Sequence, residues 1–133
     1  MVVWNCVPFS KFIAMKKDLE SAEDVTLLVD HFYKKVVLNE VLNPFFEGLD
    51  WEAHLPKMKQ FWRFLLFDEL GYTTNVTEKH LRLPLTKEAF DEWLALFFQT
   101  LDEHFEGPRV LLAKERSKII AIGLKSKMNL LEN

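Results

Sequence analysis

Apolar residues return every three or four positions along four long stretches of this chain, and no stretch alternates between apolar and polar as a half-buried strand would. That spacing limits the fold to helices packed on helices. Val25, Leu28, Val29, Phe32, Tyr33 and Val36 share one face and predict a helix over about residues 22–38. Ser21 stands at its start with Asp24 three residues on, a capping box with Asp in place of Glu. Asn43-Pro44 ends this stretch, and Gly48 with Asp50 marks the next beginning.

The second stripe carries Trp51, His54, Leu55, Met58, Phe61, Trp62 and Leu65. Pro56 would remove an interior hydrogen bond, so the regular helix is expected to start near His54, with a separate turn before it. Thr86 can cap a third helix bearing Phe90, Trp93, Leu94, Phe97, Leu101 and Phe105. Gly107-Pro108 breaks the chain again, and a last helix buries Val110, Ala113, Ser117, Ile120 and Leu124. Four substantial helices, two short ones and no strands make an all-α domain. The connection from Leu70 to Thr86 is longer than an up-and-down bundle needs, and packing alone does not explain it.

The chain's 133 residues can enclose a core as one domain without covalent staples. A single cysteine, Cys6, excludes an intrachain disulfide, a redox pair, a cysteine-rich zinc site and thioether attachment of a cofactor, and a reducing cytoplasm is the expected setting. The net charge of −3 argues against nucleic-acid binding. The basic tract over residues 109–128 is read as the solvated face of the last helix. Residues 1–14, MVVWNCVPFSKFIA, are too short to span a bilayer and lack the pattern of a secretory signal. They are expected to be an extension or loose tail on a domain over 15–133, with no membrane partner.

Four histidines carry the prospects for chemistry. None has Glu three residues before it, where Leu28, Trp51, Thr77 and Leu101 stand, so the paired E-x-x-H of a di-iron bundle is missing. H-E-x-x-H, a glycine-rich phosphate loop and G-x-S-x-G are missing too. His31 falls at the boundary of the first apolar stripe, and His104 in the last turn of its helix. His54 points inward with Met58 and Phe61. His80 lies beside a polar loop, between apolar Leu81, Leu83 and Leu85 and cationic Lys79 and Arg82, a mixture suited to an apolar ligand with an anionic edge. Twelve phenylalanines and four tryptophans provide wide apolar walls for such a ligand. Tyr33 and Trp93 carry hydrogen-bond donors to the same interior, which favours a ligand with acceptor atoms.

The runs HFYKKV and VLNPFF, then DWEAHLPKMKQFWRFLL, then KHLRLPLTKEAFDEWLALF, and more loosely AKERSKIIA, resemble the group III truncated haemoglobins in order and spacing over roughly residues 24 to 122. The resemblance implies a shortened globin, an all-α two-over-two helical sandwich that holds haem b without covalent attachment. It implies that His80 is the proximal iron ligand; the second ring N–H of such a ligand needs an acceptor, and the carbonyl of Val76, one turn back, is the expected one. Tyr33, His54 and Trp93 would form the distal side, Phe46, Phe61 and Trp62, with Phe45, Phe90 and Phe97, would wall the porphyrin, and Lys79 and Arg82 would face its propionates. Thr74 and Val76 stand where the family often has glycine and proline, which leaves the path of that loop open.

The expected function is reversible binding of oxygen, carbon monoxide or nitric oxide, including oxygen transport, by a ligand-binding haem protein rather than a dedicated enzyme. Two alternatives use the same scaffold. One is detoxification of nitric oxide or peroxide with a separate reductase; the other is a six-coordinate electron-transfer or sensor protein in which His54 closes onto the iron.

Overall fold

The computed structural model describes residues 16–72, 80 and 83–131. The expected tail over residues 1–14 lies outside them. Four helices follow in order: α1 (Ala22–Leu38), α2 (Trp51–Phe67), α3 (Lys87–His104) and α4 (Pro108–Lys127), with a 3-10 turn (Asn43–Phe46) between α1 and α2. The all-α expectation holds among these residues.

Helices α1, α2 and α3 each begin at a residue whose side chain satisfies a free amide. Ser21 Oγ accepts from the Asp24 N–H at 3.3 Å, and the Asp24 carboxylate accepts from Ser21 N at 3.2 Å, Glu20 N at 2.8 Å and Lys17 Nζ at 2.7 Å. This is the capping box read from SAED, strengthened by a lysine. Thr86 Oγ1 accepts from Ala89 N at 3.0 Å to start α3.

Helix α2 starts earlier than Pro56 suggested. Asp50 caps it by accepting from Ala53 N at 3.3 Å, and the first helical bond runs from His54 N to the Asp50 carbonyl at 2.9 Å. Pro56 stands inside the helix but on its exposed side, as does Glu52, whose carbonyl loses its donor. Water can serve that carbonyl, so the missing bond does not end the helix.

Helix α4 has no capping side chain of its own, because Gly107 is its N-cap and Pro108 its first residue. The carboxylate of Asp18, distant in sequence, accepts from Arg109 N at 2.9 Å and Val110 N at 3.1 Å instead. This approach requires glycine at 107: φ there is +145°, and an added Cβ would lie 2.6 Å from Asp18 Cγ. The Arg109 guanidinium then donates to the Leu66 and Leu19 carbonyls and lies 4.7 Å from the centre of the Phe67 ring. One end of α4 is thereby tied both to the end of α2 and to the segment before α1.

Helix α1 packs on α2 and α3, and α4 packs on α3 and α2, which gives the expected two-over-two sandwich. At its centre Phe32 meets Trp93 and Phe97 edge-on at 5.2 and 5.3 Å, while Phe97 stacks on Trp62 at 4.8 Å and on Trp93 at 5.1 Å. Buried polar groups are satisfied locally: Thr100 Oγ1 donates to the Leu96 carbonyl at 2.7 Å, and Ser117 Oγ to the Lys114 carbonyl at 2.9 Å. Among the described residues no helix is long and apolar enough to cross a membrane.

Two outcomes follow from the caps. Burial acts to raise the Asp24 pKa, but Lys17 and the Glu20 and Ser21 amides outweigh it and hold the carboxyl below its ordinary value. Asp24→Ala should therefore cost ~1–2 kcal/mol at neutral pH in urea unfolding. A lowered folded pKa contributes stability above the unfolded pKa and loses it as pH falls through the folded one, so the difference from the parent should shrink below about pH 4. Gly107→Ala should destabilise by about 1–3 kcal/mol through strain and the contact with Asp18, read as a lower urea midpoint.

Candidate functional site

A cavity of about 310 Å³ opens between the four helices and the segment that carries His80. Its position follows from side-chain size. Helices α3 and α4 present small residues toward it, Ala89, Ser117 and Ala121, where larger ones would close the gap.

Each of four segments delivers one polar group to this space. Tyr33 comes from the buried face of α1, His54 from the first turns of α2, Trp93 from the middle of α3, and His80 from the connection before α3. His80 is helical and half-buried, and its carbonyl accepts from Leu83 N at 3.0 Å. That turn brings Leu83 and Leu85 to the same wall, and the chain then runs to the Thr86 cap.

Tyr33 is the best-anchored of the four. Its ring meets Phe32 at 4.9 Å, Phe46 at 5.9 Å, Trp51 at 5.5 Å and His54 at 6.0 Å, all at steep angles. Phe46 and Trp51 stack on each other at 5.9 Å behind it. Such contacts add about 0.5–1.5 kcal/mol per pair beyond burial and fix the ring's direction. Burial raises the Tyr33 hydroxyl well above its ordinary pKa, and the neighbouring Trp93 indole offsets this only in part. The hydroxyl is neutral across the physiological range. The hydroxyl thus keeps its own proton for an acceptor in the cavity.

The expected site residues Tyr33, Phe46, His54, Phe61, Trp62, His80 and Trp93 all line this one cavity. Phe90 lines it as well. Phe45 and Phe97 do not; Phe45 packs against the core from outside, and Phe97 lies beneath, supporting Trp62 and Trp93. Lys79, Arg82 and the Val76 carbonyl lie outside the described residues. The spacing of the sequence did not reveal Leu42, Leu49, Met58 or Ala121 as lining residues, although Met58 shares the face of His54 and Phe61.

His31 and His104, set aside from the sequence, lie away from the cavity and against each other, ring centres 4.4 Å apart. Burial, then the neighbouring His31, lowers the His104 pKa. Among the described residues no group of three or more His, Cys, Asp or Glu side chains is placed to hold a bare metal ion. The ligating groups among the described lining residues are the His54 and His80 imidazoles, the Met58 thioether and the Tyr33 hydroxyl, in apolar surroundings.

No protein-family model matches the chain. It is similar to the group 3 truncated hemoglobin ctb of Campylobacter jejuni, with 30% identity over 114 residues that cover 80% of this chain and 90% of that protein. Its fold is similar to the crystal structure of a group III truncated hemoglobin from Campylobacter jejuni, with a TM-score of 0.79, 29% identity, and 89% of this chain and 97% of the other covered. The truncated oxygen-avid haemoglobin of Bacillus subtilis is also similar, at a TM-score of 0.69 and 27% identity, covering 78% of this chain and 92% of that one.

Proposed function

The chain belongs to the group III truncated haemoglobins, and from that premise we propose that it holds a non-covalent haem b in the cavity and uses it to bind a diatomic gas reversibly. The observation that carries this reading is the convergence of His80, His54, Tyr33 and Trp93 on one cavity whose other walls are almost wholly apolar.

The residues present fit such a group. Flat aromatic walls from Phe46, Phe61, Trp62 and Phe90 suit a planar macrocycle, and an apolar interior of this size falls in the range of small-molecule sites, about 300–1,000 Å³. No thiolate or carboxylate stands among the described lining residues, and of the ligating groups there, the His54 and His80 imidazoles, the Met58 thioether and the Tyr33 hydroxyl, this reading assigns the iron to an imidazole. His80 takes that role in this proposal, because it comes from the segment whose length packing does not explain. Lys79 and Arg82 take the propionates. Bound there, haem would supply iron chemistry for taking up oxygen, carbon monoxide or nitric oxide.

What the chain itself contributes is polarity at a chosen place. Tyr33 Oη keeps its proton because burial disfavours the phenolate, and it donates that proton toward the gas. Trp93 Nε1 has no acceptor capacity, so it works as a second donor, either to Tyr33 or to the ligand. Phe97, stacked under Trp93, holds the indole in place. His54, edge-on to Tyr33 and to Trp51, stands on the same wall and controls the space beside the hydroxyl. The description of a relative as oxygen-avid accords with a donor-rich wall of this kind.

The haem-loaded protein tests this. A ferrous absorption spectrum that shifts with carbon monoxide, and loss of the iron–imidazole signature in His80→Ala, are the expected results; a variant that keeps the signature removes His80 from the role. In stopped-flow displacement, Tyr33→Phe should release oxygen about tenfold faster or more, since a hydrogen bond to a charged group contributes about 1.5–3 kcal/mol. An unchanged rate would remove Tyr33 from the distal side.

A further inference from the structure

Helix α4 carries two unlike faces. Its inner face lines the cavity through Ser117, Ala121 and Leu124. Its outer face is apolar where solvent should favour polar residues: Leu111 is 66% exposed, Ile119 59% and Ile122 55%. With Glu115 these follow at spacings of four, four and three residues, a continuous ridge along the helix.

The ridge is bordered by cations on both sides. At 100° per residue, Arg116 and Lys127 fall along one border and Lys118 along the other. Among the described residues no carboxylate pairs with these three, whereas Lys114 and Lys125 of the same helix are engaged by Asp102 and Asp91. An apolar seam between rows of charge is the pattern of a helix meeting a partner surface. The like sign of both rows opposes a second copy of this chain docked ridge to ridge. Glu115 in the middle of the ridge opposes an anionic lipid surface, since a bilayer offers it no donor, while a protein can.

We propose that the outer face of α4 docks an acidic electron-carrying protein that returns the iron from ferric to ferrous. This rests on the haem reading above. A single helix, about 10–12 Å across, separates the docked partner from the cavity. The reaction moves one electron from a reduced one-electron carrier to ferric iron, giving the oxidised carrier and ferrous iron, with no bond made or broken in the chain. On a molecule whose net charge is −3, the cations along this ridge give an acidic carrier a local attraction and an orientation.

The test uses the full chain loaded with haem, and an acidic reduced [2Fe–2S] ferredoxin as the probe. Reduction is followed in a stopped-flow spectrometer for the parent and for the double variant Arg116→Glu with Lys118→Glu, whose helix content is checked by circular dichroism. The variant should be reduced about tenfold more slowly or worse, while its reduction by dithionite is unchanged. Raising salt from about 0.1 to about 1 M should slow the parent and hardly affect the variant, because the screening length falls from about 10 to about 3 Å. Equal rates for parent and variant, or no reduction by the ferredoxin of a protein that dithionite reduces promptly, would overturn the proposal. So would co-sedimentation of the parent with vesicles of equimolar phosphatidylcholine and phosphatidylglycerol, or dimerisation that the double variant abolishes. Failure of the haem reading is separately visible, as an absent haem spectrum before any donor is added.

Discussion

The column of rings Trp62, Phe97 and Trp93 sets the spacing of this molecule. Phe97 is fully buried between the two indoles and meets Phe32 edge-on, so α1, α2 and α3 are registered against one another at a single side chain. The rings hold the helices apart as much as together. Above the column there is no matching aromatic contact from α4, which presents Ser117 and Ala121 instead, and the space between becomes the cavity. Trp62 and Trp93 are therefore at once core residues and walls of the site, and the indole of Trp93 is aimed by packing rather than by a polar partner alone.

The cavity of about 310 Å³ takes the place of packed side chains at the centre, so the helices are tied together at their ends as well. The Asp18 cap on α4, the Arg109 bonds to Leu19 and Leu66, and the Ser21–Asp24 box close the ends of the helices that the missing centre does not hold. A ligand that fills the space returns the lost contacts, so folding and ligand binding share the same interior surface.

Local chemistry was the legible part of the sequence. Ser21 and Thr86 each cap the helix that their position announced, because capping depends on residues at most three apart. The inward direction of Tyr33, His54 and Trp93 was legible for the same reason, since periodicity fixes a face. That all three meet in one cavity with His80 is a tertiary fact, and the spacing of the residues alone did not contain it. Long-range substitutes were invisible. Nothing in the neighbourhood of Gly107 shows that Asp18 will cap α4, and nothing near His31 shows that His104 will lie against it. Pro56 misled because its cost depends on exposure: on the solvent side of α2 water replaces the lost bond, and a rule written for helix interiors places the start too late.

The polar inventory of the cavity decides what it can hold. Trp93 can only donate. Tyr33, held neutral by burial, has a proton to give. No carboxylate stands among the described lining residues to accept from a ligand or to balance a cation. A ligand bearing its own donors would leave Tyr33 and Trp93 unmatched in an apolar setting, and an unpaired buried donor costs about 1–3 kcal/mol. A small acceptor-bearing ligand matches both. Specificity on this wall thus arises from the sign of its hydrogen bonding, and that sign is set by the burial that keeps the Tyr33 proton in place.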